Sequence, residues 1–454
     1  MVAGPHCHYF IPFRSAHSPD RKFRGRAFHL YSFLKGLIPP GRNISVTFLS
    51  QYSFKHPAKR FLAALFDFAG GILFFIPGLF KPAFDPARIQ KILVIRLDSL
   101  GDAVMTLPAL RALRERFPKA QIDFLLTPET APLFAGGPEV DEVLTLECGW
   151  FSKKTGKNAG SALQRVCARI KSARYDLGID FRGDLRNALL LFSAGIPQRF
   201  GYGITGGGFL LTHCGKYSRK IHQVLLNLQL LAPLGIEKTP SPASFAYPEE
   251  RKGHFQNSIG RLLPQGPEPR IVIHPGAGYA SKRWPAEKFK SLIGEILQEN
   301  LGNIILIGTE AEKSLFTPDF SAPKLTDLRG KTKLEDLPIL FDACQLFIGN
   351  DSGPSHVAAA QGLPLLVLFS GTNDAAVWHP WAKSLELISH SVPCSPCEVR
   401  ECPLKHHDCM EKILVDQVFG KVCESLRGRP ADRQDEAISK PGLPSPPKNT
   451  AGSQ

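Results

Sequence analysis

Two stretches of the chain share one physical design. Residues 95–110 read IRLDSLGDAVMTLPAL and residues 349–364 read GNDSGPSHVAAAQGLP. In each, an apolar strand runs into a short polar turn that contains glycine and opens a helix. The first N–H groups of a helix lack partners within it, and the aligned peptide dipoles place partial positive charge there, so each turn is expected to be an anion or phosphate site. In open parallel sheets the turns after the carboxyl ends of strands are also where ligands collect. About 250 residues separate the two turns, which predicts two such α/β units facing one another.

The pattern between and around them agrees. Apolar, β-rich runs predict strands over 91–97, 121–127, 142–146 and 177–181, with a helix over 103–117 whose apolar residues recur at helical intervals (Val104, Leu107, Leu110, Leu113, Phe117). A glycine-rich, loop-like stretch covers 201–208, and between Thr239 and Pro269 the composition turns to Pro, Ser and charge. The alternation then restarts, with strands over 270–274, 303–308, 346–349 and 363–369 and helices from Pro285, from Leu334 and after Gly353. Interleaved strands and helices make the class α/β. The expected organisation is a basic extension over 1–60, an apolar segment over 61–84, one α/β domain over 91–245, a second over 268–427, and a disordered tail over 428–454 that is rich in Pro, Ser and charge.

The formal net charge is +14, and residues 1–60 carry ten basic side chains against Asp20 alone, or +9. A basic arm suits nucleic acid or an anionic membrane, and the segment next to it in the chain decides between them. Residues 61–80 read FLAALFDFAGGILFFIPGLF, long enough to cross a hydrocarbon core but interrupted by Asp67, Gly70-Gly71 and Pro77. An interfacial helix or shallow hairpin is therefore expected, with Lys59, Arg60 and Lys81 at anionic headgroups; a true span and a helix buried on the protein are the alternatives. The partner expected of the arm is a membrane surface, not nucleic acid. No small-residue cleavage site follows the apolar stretch, and six of the ten cysteines lack framework spacing. Both features point to a cytosolic catalytic body with reduced thiols.

Four clusters can carry chemistry. Arg96, Asp98, Ser99, Gly101 and Asp102 gather at the first strand end, where Asp102 is either a base towards a hydroxyl or simply a helix N-cap. In HPGAGYASKRWPAEKF, Lys282 and Arg283 follow a strand and precede a helix begun by Pro285; they suit a pyrophosphate or stand solvated. Glu310, ending the next strand, suits ribose hydroxyls or serves a helix start. Asp351, Ser352, Gly353 and His356 form a donor turn or a plain capped helix. A further group, CSPCEVRECPLKHHDCM, offers Cys394, Cys397, Cys402 and Cys409 as ligands of a structural zinc, although its spacing departs from a paired CxxC ribbon; an iron–sulfur site, free thiols or redox pairs are the other readings. No GxGxxG turn with a following acid appears in the unit that starts at Lys91, which argues against a dehydrogenase.

Taken together, RLDSLGDAVMTLPAL, HPGAGYASKRWP, IGTEAE, LRGKTKLEDLPILFDAC and NDSGPSHVAAAQGLP resemble glycosyltransferase family 9, the ADP-heptose:lipopolysaccharide heptosyltransferases, over about 91–413. The resemblance implies the GT-B fold, two Rossmann-like domains facing across a cleft, with acceptor on the first and donor on the second. It also implies an inverting, metal-independent transfer from a nucleotide sugar to a glycolipid, with no cofactor required; the expected place at the cytoplasmic face of the inner membrane comes from the apolar segment, which lies outside the family's core, and not from the resemblance. By resemblance, Asp102 is the catalytic base, Lys282 neutralises the leaving pyrophosphate, Glu310 holds the ribose and Thr332 falls near the adenine. Asp351, Ser352, Gly353 and His356 form the donor turn. Arg182 and Arg186, in DFRGDLR, are candidates for a phosphorylated or carboxylated acceptor, with surface arginines as the default reading. The cysteine group lies outside the best-known heptosyltransferases, which leaves the donor sugar and the acceptor open; a non-catalytic nucleotide-sugar binder, in which Asp102 does nothing, is the separate alternative.

Overall fold

The computed structural model describes residues 52–54, 56–73, 85–147, 159–236, 244–315 and 323–427. The tail and most of the basic extension lie outside them, as do residues 74–84 of the apolar segment. The first described helix, α1 (Pro57–Leu73), opens with proline at a position where a missing N–H costs nothing. It continues through Gly70-Gly71, which on sequence grounds should weaken it. The reason is packing: the Phe209 ring occupies the space that a Cβ on Gly70 would need.

Beyond α1, twelve strands among the described residues form two sheets. The first contains β1 (Lys91–Ile95), β2 (Gln121–Leu126), β3 (Glu142–Thr145), β4 (Leu177–Asp180), β5 (Gln198–Gly201) and β6 (His213–Cys214). Its spatial order is β3-β2-β1-β4-β5-β6, all parallel. The second contains β7 (Arg270–His274), β8 (Asn303–Leu306), β9 (Leu325–Asp327), β10 (Leu346–Asn350), β11 (Leu365–Leu368) and β12 (Leu385–Ile388), in the order β12-β11-β10-β7-β8-β9, also parallel. The two orders are one topology, in which the chain starts in mid-sheet, winds outward to one edge and returns to wind to the other. The central strands are covered on both faces, which is why they read as unbroken apolar runs: Ile92, Leu93, Val94 and Ile95 of β1 and Leu346, Phe347 and Ile348 of β10 are fully buried.

Such winding leaves one crevice per sheet, at the carboxyl ends of the two strands where the direction of winding reverses. In the first sheet these are β1 and β4; in the second, β7 and β10. The residues just beyond these four strands are Arg96 to Asp102, Arg182 to Arg186, Pro275 to Arg283 and Asp351 to His356.

The helix expected over 103–117 is two helices, α2 (Leu100–Val104) and α3 (Leu107–Arg116). Pro108 has no N–H for the Val104 carbonyl and its ring would crowd it, so the chain breaks between them. Thr106 then donates its N–H to Ala103 and its hydroxyl to the Asp102 carbonyl at 3.0 Å, so the break leaves that carbonyl satisfied. Further helices used below are α4 (Leu185–Ser193), α5 (Gln223–Leu230), α6 (Ala286–Gln298), α7 (Gly353–Ala360) and α8 (Val415–Arg427). One apolar cluster includes residues of both sheets and Phe245, whose ring meets Phe134 edge-on at 5.3 Å.

Candidate active site

The turn after β1 is built around a buried arginine. Arg96 is only 2% exposed; its guanidinium donates to the Phe181 carbonyl at 2.6 Å and to Asp102 Oδ1 at 2.7 Å. The Ser99 hydroxyl donates to Asp102 Oδ2 at 2.5 Å, so both carboxylate oxygens are held. Asp98 sits beside them and accepts from Arg182 at 2.6 Å. Burial and the neighbouring Asp102 charge push the Asp98 carboxyl up to about 6, against the pull of Arg182 and Arg96. The expectation of an anion cradle fails at this turn: α2 is only five residues long and the turn presents two carboxylates. It is an acid platform.

The second sheet's crevice has the opposite character. Lys282, on the turn after β7, places its ammonium 2.5 Å from Asp351 Oδ2 at the end of β10. Burial alone would raise the Asp351 carboxyl; the His356 ring, 3.9 Å away through Nε2, and the Lys282 charge outweigh it and hold the group below the ordinary carboxylate range. Ser352 precedes α7, whose first turn is tightened by Ser355 Oγ donating to the Ser352 carbonyl at 2.6 Å. The Lys282 turn is itself pinned by buried Asn350, which accepts from Trp284 N at 3.0 Å and donates to Pro275 O at 2.8 Å.

The two crevices touch. A Cβ on Gly101 would lie 2.9 Å from His356 Cδ2, and one on Gly353 would lie 2.6 Å from Leu100 Cδ2. Two glycines thus let the α2 and α7 starts meet backbone to side chain, and a chain of contacts runs from Asp102 through Gly101 and His356 to Asp351 and Lys282. Glu310 and Thr332 stand apart from this group, beyond β8 and β9. Glu310 is exposed and paired with Lys313 at 2.8 Å, and it fills the space above Gly330, while Thr332 is half-buried. Arg182 is tied to Asp98 and also donates to Leu97 O at 2.9 Å. Arg186 grips Asp184 with two hydrogen bonds of 2.7 and 2.5 Å.

Sequence reasoning missed two groups in the second crevice. His274, ending β7, contacts Ser352 Oγ at 3.1 Å through Nδ1 and Glu312 at 3.6 Å through Nε2. Burial would raise the Glu312 carboxyl, but His274 and the Thr309 N–H and hydroxyl draw it down to about 2. The available signal was Thr309-x-x-Glu312, a capping-box spacing; nothing local pointed to His274, which lies on another strand.

Cys394, Cys397, Cys402 and Cys409 line one small cavity with Ser281, Thr372, His406 and His407, and all four are free thiols. Among the described residues, however, no group of three or more His, Cys, Asp or Glu is placed to hold a metal ion, so the zinc set raised by the sequence is not assembled. What this segment does is brace the Lys282 turn. Arg400 O accepts from Ser281 N at 3.0 Å, Val399 O accepts from Ser281 Oγ at 2.6 Å, and His407 Nε2 meets Ser281 O at 3.0 Å.

Facing doubly wound sheets, with an acid at one crevice and a cation beside a helix start at the other, are the arrangement of a GT-B glycosyltransferase. The profile of glycosyltransferase family 9 (heptosyltransferase) matches residues 163–407. Lipopolysaccharide heptosyltransferase 3 of Escherichia coli is 29% identical over 301 residues, 63% of this chain and 83% of the relative. The structure of a family 9 glycosyl transferase from Veillonella parvula has a TM-score of 0.66 at 22% identity, covering 76% of this chain and 98% of that one. That of E. coli ADP-heptose lps heptosyltransferase II has a TM-score of 0.59 at 23% identity, covering 74% and 99%. The chain belongs to glycosyltransferase family 9. It is a glycosyltransferase, and its fold is GT-B.

Proposed function

We propose that the protein transfers heptose from ADP-heptose to a hydroxyl of the lipopolysaccharide core or a related glycolipid, in one inverting displacement that needs no metal. The acceptor lies on residues 91–245 and the donor on 268–427. Asp102 takes the proton of the acceptor hydroxyl as its oxygen bonds to the anomeric carbon; the bond to ADP breaks on the opposite face of the sugar, and the diphosphate leaves with its electron pair. Lys282 and the N–H groups at the start of α7 meet the charge that develops there. Ser352, Gly353 and His356 shape the donor turn, Asp351 aims Lys282, and Glu310 and Thr332 serve the adenosine end. Arg182 and Arg186 face the acceptor. The enzyme works at the cytoplasmic face of the membrane as a peripheral protein, with the apolar segment over 61–80 as its attachment.

One observation carries the reading: the Asp102 turn and the Lys282–Asp351 turn, one from each sheet's crevice, meet through Gly101 and His356. A base and a leaving-group cation on opposite walls are what a single displacement at a sugar carbon requires. The test uses purified full chain, ADP-heptose and a de-acylated core oligosaccharide, with ADP binding measured by calorimetry. Transfer by the wild type, and its collapse in Asp102→Asn with ADP affinity kept, are expected. ADP binding without transfer in the wild type would favour a nucleotide-sugar binder, and transfer from a different nucleotide sugar alone would reassign the donor.

A further inference from the structure

The helix α1 has two faces of different chemistry. Ala63, Ala64 and Gly70 are buried against the protein, and Phe66 meets Phe209 at 5.2 Å. Asp67, its only acid, turns inward, where it accepts from Tyr52 Oη at 2.8 Å and from Gly207 N at 2.5 Å. The outward face then holds nothing polar from Phe61 onward. Leu62, Leu65, Phe68, Ile72 and Leu73 are all more than half exposed, and Phe61 and Phe66 are exposed as well. A helix face that meets only water carries charge; one so uniformly apolar is built for another medium.

Its surroundings say which medium. Lys59 and Arg60 stand in the first turn of α1, and Arg219, which has the exposed Lys216 and Lys220 beside it in the chain, reaches the carbonyl of Tyr52, just before the helix, at 3.4 Å. Neither residues 205–225 nor residues 52–66 contain an acid. Among the described residues no helix is long and apolar enough to cross a membrane. Cations at the rim and an apolar face together describe a helix lying in a bilayer interface.

We propose that the outer face of α1, with the basic residues at its amino end, docks on an anionic phospholipid bilayer and presents the acceptor wall of the cleft to it. This rests on the glycolipid reading above and extends it to the route of the acceptor. The helix is coupled to that wall by short contacts: Asp67 holds Gly207, Thr205 Oγ1 accepts from Leu185 N at 2.8 Å, and Tyr202 and Ile204 pack where a Cβ on Gly183 would sit, next to Arg182. A glycolipid in the docked leaflet therefore meets the Asp102 side of the cleft with its acyl chains still in the membrane.

The experiment floats the full chain with vesicles of phosphatidylethanolamine and phosphatidylglycerol, and with phosphatidylcholine alone. Binding to the anionic vesicles that weakens with salt is expected. A chain carrying Leu62→Ser, Leu65→Ser, Phe68→Ser and Ile72→Ser, all exposed positions, should lose vesicle affinity by roughly 100-fold or more while keeping its melting temperature and ADP affinity. Its transfer to acceptor embedded in vesicles should fall by at least ~10-fold, with transfer to the de-acylated acceptor unchanged. Wild-type chain that stays off anionic vesicles, or a variant that binds them as well as wild type, overturns the proposal. So does a wild-type dimer in solution that the substitutions split without changing vesicle binding, since a second copy would then be the occupant. Failure of transfer to the soluble acceptor in the wild type counts against the functional reading instead, and leaves the flotation result standing.

Discussion

The turn after β1 and the turn after β10 have the same backbone plan and opposite chemistry. Both leave a buried parallel strand, both stand at the reversal point of a sheet, and both open a helix. After β1 the helix lasts five residues and the turn is filled by Asp98 and Asp102, held on a buried Arg96. After β10 the helix lasts eight residues and the lone acid, Asp351, is neutralised by Lys282 and approached by His356. A helix start is an anion site only when the side chains around it leave its field uncancelled. Topology chooses where ligands bind, and the nearby charges choose whether that place accepts a proton or a phosphate.

The comparison breaks most sharply at Asp102. Asp102→Asn keeps the shape and the Ser99 contact while removing the base, so kcat should fall by roughly 10²–10⁴-fold with ADP affinity unchanged, measured by single-turnover transfer. Activity within a few-fold of wild type would strip Asp102 of its role. On the opposite wall, Lys282→Ala removes the cation and also leaves Asp351 buried without its partner. Turnover should drop by about 100-fold, accompanied by a loss of stability visible in the melting temperature. Adding Asp351→Asn should restore the melting temperature without restoring turnover. If the double variant recovers both, Lys282 is structural only.

The contact between the walls gives a smaller and more specific effect. Gly353→Ala forces a methyl to 2.6 Å from Leu100 Cδ2, so the crevices must part by a fraction of an ångström. Misplacement on that scale should cost kcat about 10-fold. Leu100→Ala, which clears the space, should return most of it in the double variant, and absence of that rescue would mean that the two helix starts do not act together during turnover.

Much of the fold and site was legible in the chain because it is local. The central strands are unbroken apolar runs, the glycine turns come directly after them, and Lys282 and Asp351 each lie just beyond a strand that can be read by eye. The split between α2 and α3 was equally local, written in Pro108, and a reading of apolar periodicity alone passed over it. What could not be read depends on pairings far apart in sequence. Asp67 looked like a flaw in an apolar helix because its partner, Gly207, is 140 residues away. The Arg96 environment depends on Phe181, 85 residues on, and the depth of Glu312 depends on His274 from a neighbouring strand. The segment that carries the four cysteines, open in sequence between a metal site and free thiols, steadies the Lys282 turn through Val399, Arg400 and His407, over 100 residues from Ser281.

The finest test separates two acids two residues apart, one on each side of the boundary between surface and crevice. Glu310 is exposed, so Glu310→Gln should leave stability alone and raise the donor KM by about 5-fold, the scale of one hydrogen bond to a ribose hydroxyl. Glu312→Gln should do the reverse, with little change in KM and a lower melting temperature. Because its folded carboxyl sits near 2 instead of the ordinary 4.5, the stability that Glu312 contributes is fully present above about pH 4.5 and disappears as pH falls through 2. It amounts to at most about 3 kcal/mol. Urea unfolding at pH 6 and at pH 2.5 should therefore show wild type and Glu312→Gln far apart at the first and converging at the second. Equal separation at both would mean that the folded Glu312 carboxyl is not held below its ordinary range. A large KM effect from Glu312→Gln, with none from Glu310→Gln, would move the ribose contact from the rim of the second crevice to its interior, beside Ser352.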